Sequence, residues 1–281
     1  MRIIVTGGSG KLGRSVVRRL TAEGHEVLNL DRDGARGAGF LTIDLTNYGE
    51  VLDAFHGVDD TANGFDALVH LAALPAPGIR PDVATFHNNM LVSYNVFQAA
   101  RRTGITRIVY ASSETVLGLP FDLDPPYLPV NEEYAARPES TYSLVKHLEE
   151  QMAIQLVRWD ETLSVTALRF SNVMDPEDYA AFAGYDEDPR NRKWNLWGYI
   201  DGRDGAQAVS LALEKAGPGF EAFIIAAADT VSGRSSSDLA AEVFPRVGFT
   251  RPVTEHETLL GIDKARHLLG YAPEHSWRDH V

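Results

Sequence analysis

Over the first 171 residues, short apolar runs alternate with stretches whose apolar residues recur at helical spacing. Runs at 2–6, 26–31, 40–43, 67–72, 107–112 and 164–169 have the length and β-branched character of buried strands, and helical patterns fall between them. This alternation predicts an α/β fold, a doubly wound parallel sheet covered by helices on both faces, with any ligand at the carboxyl ends of the strands. After residue 171 the pattern loosens. Residues 172–200 are polar, aromatic and proline-bearing, and read as a substrate loop more than a packed element. A helix over 201–216 returns to the sheet, FEAFIIAAA reads as a further strand, and 236–243 and 261–269 as short helices, the last stopped by Gly270. The expected organisation is a dinucleotide-binding domain over 1–171 with the returning helix 201–217, and a small substrate-binding lobe from 172–200 and 218–281.

The first strand runs into Thr6, Gly7, Gly8, Ser9, Gly10, Lys11, Leu12 and Gly13, which satisfies both G-x-G-x-x-G and T-G-x-x-G-x-x-G. Strand before and helix after are the context in which such glycines matter. One makes the sharp turn, one lets a diphosphate approach bare backbone, and one lets helix pack close on strand. Free N–H groups and the positive helix end then face the phosphates, and Gly7, Gly10, Lys11, Leu12 and Gly13 are the residues expected to bind the cofactor there. The second strand ends in Asp31, about 20 residues on, where a carboxylate accepts from ribose hydroxyls and repels a 2′-phosphate. NAD is therefore expected over NADP, although Arg32 and Arg36 follow closely. Beyond the other strands lie Asp44 and Leu45, suited to an adenine edge and face; Leu71, Ala72 and Ala73, small where a dinucleotide must pass; and Ser112 and Ser113. Each alone is an ordinary strand end; together they outline one crevice on a sheet of Rossmann type.

Tyr142 and Lys146 stand four apart on the helix predicted over 142–158, and so share one face. Tyr-x-x-x-Lys is uninformative by itself, but behind a dinucleotide loop and a serine pair it designates the chemistry. A tyrosine titrating near ~10 is a poor base at neutral pH unless neighbouring positive charge favours phenolate. Lys146 and a nicotinium ring supply that charge, and Ser113 can hold a forming carbonyl oxygen.

Through TGGSGKLG, Asp31, Asp44, HLAA, Ser112-Ser113, YSLVK and RFSNV, the chain resembles the extended short-chain dehydrogenases/reductases, the group of NAD-dependent epimerases and dehydratases. The resemblance implies that Ser113, Tyr142 and Lys146 form a catalytic triad, that Tyr142 and Lys146 also contact the cofactor, and that Asn172 lies in the substrate pocket. It also implies a homodimer through the helices around 83–102 and 142–158. The chain departs from the pattern at Val116, Leu117, Gly118, where many nucleotide-sugar epimerases have Val-Tyr-Gly.

Composition narrows the field. A net charge of −13 argues against nucleic acid or an anionic membrane as partner. Without cysteine, disulfides and thiolate chemistry are excluded. No apolar run approaches the ~18 residues of a membrane span, and a cytoplasmic enzyme is expected. The histidines show no metal-ligand spacing, so no metal is expected.

The substrate reading rests on length. Only 24 residues lie between Asn172 and Trp197, a segment usually longer in nucleotide-sugar epimerases. The run Asn191, Arg192, Lys193, Trp194, Asn195, Leu196, Trp197 resembles one in uronate dehydrogenases, and an arginine fork suits a carboxylate. The expectation is an NAD-dependent oxidoreductase acting on a sugar or sugar acid. Arg192 is expected on the substrate carboxylate, and Ser113 and Asn172 on hydroxyls. The alternatives are a nucleotide-sugar epimerase or dehydratase that recycles its hydride, and a dinucleotide sensor on the same fold.

Overall fold

The computed structural model describes residues 1–35, 37, 39–57, 64–215 and 217–280. Arg36, and Ala216 at the end of the helix expected over 201–216, lie outside them. The elements follow the chain as β1 (Arg2–Thr6), α1 (Lys11–Ala22), β2 (Glu26–Asp31), β3 (Phe40–Thr42), α2 (Tyr48–His56), β4 (Ala67–His70), α3 (Asp82–Arg102), β5 (Arg107–Ser113), α4 (Thr141–Trp159) and β6 (Ser164–Phe170). They continue with β7 (Val173–Met174), β8 (Ile200–Asp201), α5 (Gly202–Lys215), β9 (Gly219–Ile225), α6 (Ser236–Val243) and α7 (Asp263–Leu269).

Seven strands form one parallel sheet in the order β3-β2-β1-β4-β5-β6-β9. The order reverses direction between β1 and β4, and the crevice above that switch point is where such sheets take ligands. Successive β1 residues face opposite sides. Ile3 and Val5 join the core under α1 and α5, while Ile4 joins the one under α2, α3 and α4. Burial on both faces explains why the strands read as unbroken apolar runs. β9 pairs with β6 along its length, so this part of 218–281 completes the main sheet instead of standing with the lobe.

Residues 172–200 differ from the loop expected of them. They wind as 3-10 turns over Pro176–Glu187 and Pro189–Asn195, bury Tyr179, Phe182 and Tyr199 in one aromatic cluster and bury Trp197 against Phe244. Leu196 and Trp197 both adopt left-handed backbone, φ 53° and 57°. That conformation costs a non-glycine residue of order 1–3 kcal/mol, and packing of the indole offsets it. Trp197 Nε1 donates to Pro189 O at 2.8 Å. Apolar area buried against the rest of the fold, which no local periodicity reports, makes this segment a packed element.

Candidate active site

The carboxyl ends of the sheet open into a cleft of about 1360 Å³. Gly7 and Gly13 allow the first wall to form. A Cβ on Gly7, whose φ is +75°, would lie 2.6 Å from the Ala72 nitrogen, and one on Gly13 would lie 2.2 Å from Gly7 O. Only bare backbone permits β1, α1 and the 71–73 turn to approach so closely. Gly10 caps α1 with no side-chain hydrogen bond, which leaves the first N–H groups of the helix open to an anion. Asp31 sits at the adjoining strand end, where Oδ2 accepts from Ser9 N at 3.0 Å and Oδ1 from Arg32 N at 2.7 Å. Both oxygens keep lone pairs for ribose hydroxyls. Asp44 and Leu45 continue the wall on one side and Leu71, Ala72 and Ala73 on the other. Lys11 also lines the cleft, with its ammonium paired to Asp178 at 2.6 Å, tying the loop to the Pro176–Glu187 turn. A glycine cradle, an uncapped helix start and a carboxylate about 20 residues on fit a dinucleotide.

At the far end of the same cleft stand Ser113, Tyr142 and Lys146, with Asn172 beside them. A reciprocal capping box between Ser140 and Ser143 starts α4 at Thr141 and so fixes where Tyr142 and Lys146 project. The two serines after β5 divide their work. Ser112 Oγ donates to Glu150, itself forked by Arg169, at 2.6 Å. Ser113 Oγ accepts from Thr115 N and Oγ1 at 3.2 and 3.0 Å, which leaves its own proton for the cleft. Burial pushes the Tyr142 phenol up. Lys146 and Ser113 pull it down, Glu149 and Glu114 push it further up, and the net shift is upward.

A buried polar chain backs the lysine. Lys146 Nζ donates to Ala111 O and to Glu149 Oε2, both at 2.9 Å. Ser93 Oγ donates to Glu149 Oε1 at 2.6 Å and lies 3.1 Å from His70 Nε2, and His70 Nδ1 lies 2.7 Å from Thr6 Oγ1. Because the Ser93 proton goes to a carboxylate, its oxygen must accept from His70 Nε2–H, and Nδ1 then accepts from Thr6. Burial and the Lys146 charge hold His70 down to about 3, so the ring stays neutral. Burial opposes the ammonium of Lys146, but Glu149 and Tyr142 outweigh it and its pKa rises. An acid three residues after Lys146 was the sequence signal for Glu149. Ser93 and His70 reach it only through the fold.

Arg192 is corrected by the structure. Its guanidinium is buried between the rings of Tyr185 and Trp194, 4.9 and 4.8 Å from their centroids, and donates to Gly198 O at 3.0 Å. It takes no part in the cleft wall, where Trp194 stands instead. The left-handed turn at Leu196 and Trp197 folds the run back on itself, and Trp197 N closes it onto Arg192 O. A charged group that does line the cleft is Glu114, next to Ser113 and 3% exposed. Ser171 Oγ donates to it at 2.6 Å and Asn195 Nδ2 at 3.3 Å. Burial pushes its carboxyl up to about 7, against the pull of these donors, Arg192 and the Asn172 N–H. Glu114 directly follows the candidate catalytic serine, a signal the motif reading passed over.

The family model of the NAD dependent epimerase/dehydratase family matches residues 3–226. A UDP-glucose 4-epimerase of Bacillus subtilis is 29% identical over 211 residues, covering 71% of this chain and 60% of that protein. The same activity recurs among other curated relatives. A 2-alkyl-3-oxoalkanoate reductase of Stenotrophomonas maltophilia is 31% identical over 242 residues, 78% of this chain and 67% of that one. The chain thus spans about 60% of the length of the first of these relatives. Among solved structures, a mutated uronate dehydrogenase superposes with a TM-score of 0.68 at 22% identity, covering 100% of this chain and 85% of that one. Other structural neighbours hold NAD.

Proposed function

The chain belongs to the NAD-dependent epimerase/dehydratase family, and from that premise we propose that it is an epimerase of a nucleotide-linked neutral sugar. The observation that carries this reading is the single cleft in which the dinucleotide cradle and the Ser113, Tyr142 and Lys146 side chains meet. The recurrence of UDP-glucose 4-epimerases among the relatives supports the sugar class. Burial of Arg192 removes the contact on which the carboxylate of a uronate was expected to sit.

NAD supplies the hydride acceptor when bound. Tyr142 takes the proton of the reacting hydroxyl as phenolate, favoured by Lys146 alongside it. Ser113 donates a hydrogen bond to the oxygen as it becomes a carbonyl, and on return the proton held by Tyr142 goes back to that oxygen. Lys146, fixed by Ala111 O and Glu149, is free neither to rotate nor to lose its charge. A four-helix dimer contact is part of the proposal. Leu91 and Tyr94 on α3 and Leu144 on α4 are large apolar side chains left 45, 49 and 40% exposed on adjacent helices.

The short, tightly packed 172–200 segment favours a second reading, oxidation of a free sugar with NADH release. Stoichiometry separates the two. Purified protein given UDP-glucose should form its 4-epimer with no net NADH, whereas one NADH per sugar consumed would establish the dehydrogenase.

A further inference from the structure

Glu114 is a charged side chain in the sugar end of the cleft wall whose role the proton chemistry above does not use. Its oxygens accept from Ser171 Oγ and Asn195 Nδ2, and the nearby Asn172 N–H also favours the charged form. A carboxylate has about four acceptor positions, so these two bonds leave acceptor capacity free on a residue that lines the cleft. The titratable groups facing it are Tyr142 from α4 and Arg192 from the Pro189–Asn195 turn. Arg192 acts from behind. Its guanidinium shares the Gly198 carbonyl with Asn195, which in turn holds Glu114, so the cation expected to bind a substrate carboxylate serves the enzyme's own.

We infer that Glu114 is a specificity-determining residue: its carboxylate accepts a hydroxyl proton of a neutral sugar and repels a substrate that carries a carboxylate at that position. The inference rests on the cleft being a sugar site, as proposed above. In a water-poor wall, like charges a few ångströms apart discriminate more strongly than one hydrogen bond attracts, so exclusion of the acid is the larger effect.

The test is a binding comparison on the NAD-loaded, full-length protein, free of any requirement for turnover. UDP-glucose and UDP-glucuronic acid are titrated at pH 8, where Glu114 is mostly ionised. The parent should bind the neutral sugar at least about tenfold more tightly. Glu114→Gln should bring the two within about threefold, and Glu114→Asp, which keeps the charge, should preserve most of the gap. An unchanged gap in Glu114→Gln, or a parent that binds the acid as tightly as the neutral sugar, overturns the inference. If neither UDP-sugar binds, the nucleotide-sugar reading fails by itself. Glucose and glucuronate, followed by NADH release, then put the same question, and Glu114→Gln must still narrow the preference.

Discussion

The Glu149 carboxylate meets the Lys146 ammonium at 2.9 Å beneath the cleft, where both side chains are almost closed to solvent. This acid stabilises the charge on Lys146 while raising the pKa of Tyr142, so it acts on the base in two opposed ways. Glu149→Gln should move the rise of kcat/KM with pH toward lower pH, because the charge opposing the phenolate is gone. It should also destabilise the fold by about 3 kcal/mol, since a buried ammonium is left without its partner. A pH-rate profile beside a denaturant melt checks both. An unmoved profile in a folded variant would limit Glu149 to a structural role.

Tyr142→Phe removes the proposed proton acceptor and leaves the glycine cradle untouched. Turnover should fall by about a hundredfold to ten-thousandfold, with NAD affinity within about twofold of the parent. Lys146→Ala should weaken both, and residual activity near parent level in the Tyr142 variant would place the base elsewhere.

NAD should be preferred over NADP because Asp31 stands at the end of β2, fixed by Ser9 N and Arg32 N. Asp31→Asn should narrow the ratio of kcat/KM values by at least about tenfold, the scale on which removing a like-charge repulsion acts. Steady-state kinetics with both cofactors decide it.

Glu114 leaves a trace in stability. Its carboxyl titrates from 4.5 in the unfolded chain to about 7 in the fold, with burial as the cause. The unfolded state therefore releases the proton first. Glu114's favourable contribution is whole below pH 4.5 and is lost as pH climbs through about 7. Glu114→Gln should gain on the parent by on the order of 3 kcal/mol between pH 4.5 and pH 8. Parallel melts across that range should diverge steadily; parallel curves would show that the carboxyl is not raised.

The exposed Leu91, Tyr94 and Leu144 should lie in an isologous contact. Light scattering at micromolar concentration should return twice the 30.9 kDa chain mass. Tyr94→Glu with Leu144→Glu should return a single chain, and a monomeric parent would refute the contact.

The parts of this protein that its sequence determined are those specified by residues close together in the chain. A glycine turn, the next helix start and a carboxylate one strand later make a dinucleotide cradle through local backbone geometry. Helical spacing alone sets Tyr142 beside Lys146, and alternating apolar runs determine the sheet. What only the tertiary structure decided depends on groups far apart in sequence. Glu149 meets Ser93 and His70 because α3, α4 and β4 pack together, and Glu114 meets Ser171 and Asn195 across the top of the sheet. Arg192 shows the limit most plainly. It was expected on the substrate carboxylate, but the chain turns through two left-handed residues, Leu196 and Trp197, with Arg192 buried behind the turn and Trp194 at the cleft. A side chain's direction in an irregular segment follows from the core it closes, and that core is assembled only when the whole chain has folded.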